Sequence, residues 1–247
     1  MRTLFTLATL VLTTAVLQAQ APLRVIASNG VKTFVEALVP AYEKSSGRKA
    51  SITYGTSTTL VKNIVGGERF DVVIATMDAV DQISKAGQVA ADPPAVLGRS
   101  QVGVGVRQGQ RKPPIGTPAE MKQALVGAKG VSYAGNGASR PHIEKMFDTL
   151  GIASDMKPKS SLEAGSDGAI ARVAAGDAEL LITLVSEILP APGIELVGPL
   201  PKEFRSDVTF AAAISAAAAD PAAARALIAS LVSREATPIL RQKGLER

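Results

Sequence analysis

Short apolar runs alternate with amphipathic stretches along most of the chain. Leu23 to Ala27 predicts a buried strand, and after Ser28-Asn29-Gly30 the apolar positions 31, 34, 35, 38, 39 and 42 fall on one helix face. Pro40 lies inside that helix and is expected to kink or break its last turn. Ala50 to Tyr54 predicts a second strand, and Leu60, Val61, Ile64 and Val65 a helix that Gly66-Gly67 stops. Phe70 to Ala75 then predicts a third strand and Met77 to Ala86 a third helix. Strands that alternate with single helices imply right-handed βαβ units and a mostly parallel sheet. Residues 91–98 read as a loop, and Gln101 to Arg107 alternates with period two, as a half-buried strand does. Thr117-Pro118-Ala119-Glu120 is a capping box that opens a new α/β unit. That unit continues with a strand at Val131 to Ala134, a glycine-rich turn at 135–139 and a helix to Leu150. Residues 161–168 are polar, a short helix runs from about Asp167 to Ala175, and Glu179 to Val185 is a strand. Strands at Ile194 to Val197 and Val208 to Ile214 follow, with a helix capped by Asp220 and a short final helix from Pro238. The pattern divides into two α/β lobes, 22–100 plus 203–247 and 101–202.

The first residues have a different character. Arg2 precedes an uncharged, mostly apolar run, Leu4 to Leu17, and then Gln18-Ala19-Gln20-Ala21, the layout of a secretory leader cleaved after Ala19 or Ala21. The run is shorter than the ~20 residues a spanning helix needs. Hydrophobic residues make up 46% of the 247, enough for a sizeable core. Loss of the leader removes one base and no acid, so the net charge falls from +5 to +4. That weak excess is scattered and lacks interleaved aromatics, which argues against nucleic acid as a partner. The absence of cysteine excludes disulfides, thiolate metal sites and a lipid-attachment cysteine. The processed protein is therefore expected to be periplasmic, soluble, not lipid-anchored and monomeric.

Four turns share one design: Ser28-Asn29-Gly30, Gly55-Thr56-Ser57-Thr58, Asn136 to Arg140, and Gly165-Ser166-Asp167-Gly168. Each precedes a helix start, where backbone N–H groups and hydroxyls attract an anion. Any one of them alone is better explained as a helix cap. Two turns in each lobe, however, would surround one small ligand in a cleft between the lobes. A hydrolase would have to pair a serine with His142, the single histidine, and no Gly-x-Ser-x-Gly elbow is present. Asp71, Asp78 and Asp81 lack metal-ligand spacing. Neither an enzyme nor a cofactor is expected.

Several stretches carry a resemblance. The leader, Arg24 to Gly30, Tyr54 to Leu60, Phe70 to Ala75, the turn at 135–139 and Gly176 to Ile182 together resemble the periplasmic molybdate-binding proteins of ABC importers. The resemblance covers nearly the whole chain after the leader. It implies a type II periplasmic binding fold, with two lobes of mixed, mostly parallel sheet flanked by helices and a ligand cleft between them. It also implies delivery of a molybdate- or tungstate-like oxyanion to an inner-membrane ABC permease with its ATPase. Carried over by position, one ligand serine falls on Ser57 and another on Gly30, so Ser28 or Asn29 would have to supply that hydroxyl or amide. Backbone N–H positions fall on Ser139 and Ser166, and a tyrosine position is Leu184, with Thr183 beside it. Thr56 and Asp167 complete the candidate set with Arg140, which is either a solvated helix-start residue or a bidentate partner for a small organic carboxylate.

Overall fold

The structure, a computed structural model, describes residues 21–247; the leader up to residue 20 lies outside the described residues. The elements in order are β1 (Leu23–Ser28), α1 (Lys32–Ser46), β2 (Ala50–Gly55), α2 (Ser57–Val65), β3 (Val72–Thr76), α3 (Met77–Lys85) and β4 (Ala95–Arg107). Next come α4 (Pro118–Gly127), β5 (Val131–Ala134), α5 (Arg140–Thr149), α6 (Ala153–Met156), β6 (Ser160–Glu163) and α7 (Ser166–Ala175). β7 (Leu180–Leu184), α8 (Val185–Ile188), β8 (Ile194–Pro199), β9 (Asp207–Ile214), α9 (Pro221–Val232) and α10 (Ala236–Gln242) complete the chain. Hydroxyl caps fix three of the strand-to-helix turns: Thr56 accepts from Thr59 N–H, Thr76 from Ala79 N–H and Thr117 from Glu120 N–H. α1 runs through Pro40.

The strands form two mixed half-sheets joined through β4. In the first, β2, β1 and β3 are parallel, and β9 pairs antiparallel between β3 and the Ala95 to Gln101 half of β4. In the second, β6, β5 and β7 are parallel, and the other half of β4 pairs antiparallel with both β7 and β8. β4 begins at Ala95, inside the stretch expected to be a loop, and carries a register irregularity between Val96 and Gly98. β6 is an edge strand that the polar sequence at 160–163 did not announce.

Two glycines in β4 decide what can pack on the second half-sheet. A β-carbon on Gly103 would stand 2.9 Å from Val185 Cγ2, and one on Gly105 equally close to Ile194 Cγ2. Their absence lets α8 and β8 lie directly against the strand. The first half-sheet is tied internally by Asp71, buried at the head of β3. Its carboxylate accepts Arg24 N–H at 2.8 Å, the Arg24 guanidinium and Ala219 N–H at 3.1 Å. Burial pushes this carboxyl up, but the Arg24 and Ala219 hydrogen bonds outweigh it and hold it below the usual range.

Candidate functional site

The carboxyl ends of β1, β2 and β3 in one lobe and of β5, β6 and β7 in the other point to the same place, where open α/β sheets hold ligands. A cavity of about 20 Å³ lies there. Ser28, Asn29, Thr56 and Ser57 line it from the first lobe, and Ala134, Gly137, Ala138, Ser166, Thr183, Leu184 and Glu187 from the second. The volume suits about one water-sized sphere. A groove of about 310 Å³ adjoins it, sharing Ser57, Gly137 and Ala138 and extending to Thr76, Asp78, Gln82 and His142 between the helices of the two lobes.

Ser28 and Ser57 act as a pair. Ser57 Oγ donates to Ser28 Oγ at 3.2 Å and accepts Thr76 N–H at 3.2 Å, while Ser28 Oγ also accepts Gly30 N–H at 3.4 Å. Both hydroxyls are buried. With the Ser57 proton given to Ser28, the Ser28 proton is the one left for a ligand. Thr56 is committed to capping α2 and pairs with Thr59 Oγ1 at 2.9 Å. Asn136 Nδ2 reaches Thr59 Oγ1 at 3.5 Å, tying the turn after β5 to α2 across the cleft.

Four of the ten expected residues are not among those lining the cavity. Gly30 is buried beneath it, because a side chain there would collide with the Phe210 ring and crowd Leu184; its carbonyl accepts Ser186 Oγ at 2.7 Å. Ser139 is also buried and offers its carbonyl to His142 and Ile143 N–H, while Gly137 and Ala138 line the cavity from that turn. Arg140 is held along its own helix, with Nε on Glu144 at 2.8 Å and Nη1 on the Gly135 carbonyl at 2.6 Å. Asp167 is exposed on the first turn of α7. His142 contacts Ser139 through the main chain, not as a base set against a hydroxyl. Burial, then Lys145, lowers its pKa, with Asp78 opposing.

One residue of the cavity was not anticipated. Glu187, on α8 directly after β7, places a carboxyl among the neutral donors. Thr183 Oγ1 donates to its Oε2, and the Ser166 side chain and Leu184 backbone also hydrogen-bond to it. Part of the side chain is accessible, yet protein surrounds the carboxyl closely enough that burial raises its pKa, and nearby Asp167 adds to the rise. The hydrogen bonds from Thr183, Ser166 and Leu184 oppose that rise without cancelling it. Nothing in Val-Ser-Glu-Ile marks a site; the available signal was an acid three residues beyond a largely apolar strand at the ligand edge of a sheet.

Comparison with known proteins brings in chemistry from outside the chain. A family model described as bacterial extracellular solute-binding protein matches residues 23–246. A protein from Pseudomonas sp. named aconitate isomerase is 32% identical, over 97% of this chain and 94% of its own. Among solved structures, the periplasmic molybdate-binding protein of Azotobacter vinelandii superposes with a TM-score of 0.78 at 16% identity, covering 91% of this chain and 99% of that one. The sulfate-binding protein SubI of Mycobacterium tuberculosis H37Rv gives a TM-score of 0.75 at 16% identity, over 92% and 86% of the two chains. These structural neighbours share the type II periplasmic binding fold.

Proposed function

Since the chain belongs to the family of bacterial extracellular solute-binding proteins, we propose that it captures a small organic acid anion between its lobes in the periplasm. It would then hand that anion to an inner-membrane ABC permease and its ATPase. The observation that carries this reading is the makeup of the interlobe cavity: hydroxyls from both lobes, the starts of α2 and α7, and one carboxyl, Glu187. A metal oxyanion such as molybdate or tungstate asks its site for donors alone. A carboxyl that moves between donor and acceptor with its proton matches a ligand whose own carboxyl groups do the same. The adjoining groove gives such a ligand room beyond the cavity. Arg140, already engaged, has no part in this reading.

Thermal melting and calorimetry against citrate, aconitate, malate, molybdate, tungstate, sulfate and phosphate test it. Stabilisation by a di- or tricarboxylate is expected. Stabilisation by molybdate or tungstate alone would restore the metal-oxyanion reading, and no shift with any of them would overturn anion capture. Ser57→Ala should weaken binding of the active ligand by roughly 1.5–3 kcal/mol, as expected for a hydrogen bond to a charged group.

A second reading is favoured by one specific finding, the relative named aconitate isomerase at 32% identity over almost the full chain. In this reading the same cleft converts an unsaturated tricarboxylate between its isomers, with or without delivery to a permease.

A further inference from the structure

Glu187 is the ionisable side chain among the residues that line the interlobe cavity; the rest of the lining is hydroxyl, amide, apolar or glycine. Its placement is fixed at both ends. β7 ends at Leu184 and α8 starts at Val185, seated on β4 where Gly103 leaves no side chain in the way. Thr183 and Ser166 then hold the carboxyl by their hydroxyls. A carboxyl oriented by two donors, in a closed space between two lobes, is arranged to meet one particular atom of a ligand.

We propose that Glu187 is the acid–base catalyst of this site, carrying one proton between two carbons of a bound unsaturated polycarboxylate. This rests on the second reading above and assigns its chemistry to a residue. The substrate class is an acid in which a methylene group lies between a carboxylate and a carbon–carbon double bond. The ionised Glu187 removes a proton from that methylene. The C–H bond breaks, its electron pair enters the three-carbon allylic unit, and the negative charge spreads onto the carboxylate oxygens. Glu187 is now a carboxylic acid. It gives the same proton to the far carbon of the unit, a C–H bond forms there, and the double bond has moved by one carbon. Glu187 ends as the carboxylate it began as. No oxidant, cofactor or net proton is required.

The rest of the cavity suits the intermediate. Charge that develops on carboxylate oxygens needs prepositioned donors. The Ser28 proton left over from the Ser28–Ser57 pair and the helix start at Ser57 face the site from one lobe, and the uncapped start of α7 from the other. Burial that raises the Glu187 pKa brings its acid and base forms closer to balance, as a group that must both take and return a proton requires.

The experiment uses the whole processed protein with trans-aconitate as the probe. Isomerisation is followed by NMR in D2O, and binding is followed separately by the melting shift. Wild type should be stabilised by the probe and isomerise it. Glu187→Gln should weaken the melting shift without abolishing it, since the hydroxyls and helix starts of the site remain, while kcat falls by roughly 10²–10⁴-fold. Glu187→Asp, which keeps the carboxyl but shortens its reach, should retain intermediate activity and so guards against a Gln variant that misfolds. Isomerisation by Glu187→Gln within a few-fold of wild type would overturn the assignment while leaving the second reading intact. A wild type that binds the probe without isomerising it would overturn the assignment and the second reading but leave carboxylate capture standing. A wild type that does neither would remove all three.

Discussion

Glu187 is held where an ionised carboxyl is disfavoured, and this makes the stability of the protein depend on its titration. Its folded-state pKa lies above that of a glutamate in the unfolded chain. The folded protein therefore binds its proton more tightly. The associated stability is fully present below the unfolded value and is lost as pH rises through the raised folded value. Glu187→Gln has no such titration, so its melting temperature should gain on wild type from mildly acid to mildly alkaline buffer in scanning calorimetry. A difference that stays constant with pH would contradict the raised pKa. At this scale the sequence was partly legible. Ser28, Ser57 and Ser166 could be singled out because hydroxyls in turns before helix starts have a distinct pattern, and Thr183 only through the family resemblance. Glu187 could not, because its role depends on how closely α8 approaches β4, and that distance is set by glycines some eighty residues away. Arg140 misled for the opposite reason: its sequence position beside the turn is right, but Glu144 one helical turn on and the Gly135 carbonyl hold its guanidinium along its own helix.

The turns are positioned by what lies beneath them. The Ser28 to Gly30 turn rests on Phe210 of β9 and Leu184 of β7, so the residue that follows Asn29 has no space for a side chain. Gly30→Ser, which would add a hydroxyl at that turn, should therefore destabilise the fold by about 1–3 kcal/mol through overpacking. Urea unfolding measures this; a variant as stable as wild type would mean that the Phe210 ring moves aside. Elements with a clear period, such as β1, α2, β3 and β5, could be read from the sequence to within a residue or two. β6 could not, because Ser-Ser-Leu-Glu is an edge strand with little apolar surface to declare it. The first half of β4 was hidden by Pro93-Pro94 just before it and by Gly98 within it, and only its pairing with β9 shows it to be strand.

Across the whole molecule the lobes meet through a short buried chain of hydrogen bonds. Ser186 Oγ donates to the Gly30 carbonyl at 2.7 Å, Ser186 N–H donates to Ser100 Oγ at 3.1 Å, and Ser100 Oγ donates to the Gly244 carbonyl at 3.1 Å. Opening the cleft pulls on the first two of these bonds, because each joins Ser186 to a residue of the other lobe. Ser186→Ala should cost the closed state about 1 kcal/mol, which lowers ligand affinity about fivefold. It should also raise the radius of gyration of the ligand-free protein in small-angle scattering. An affinity equal to that of wild type would show that the bond persists as the lobes part. β4 links the lobes in a second way. Its first half is completed by β9, which arrives more than a hundred residues later and stands between β3 and β4. During synthesis, then, the amino-terminal lobe cannot close its sheet until residues 207–214 have left the ribosome. A chain whose first sheet waits for a strand from near its end cannot complete that lobe before most of the chain has been made.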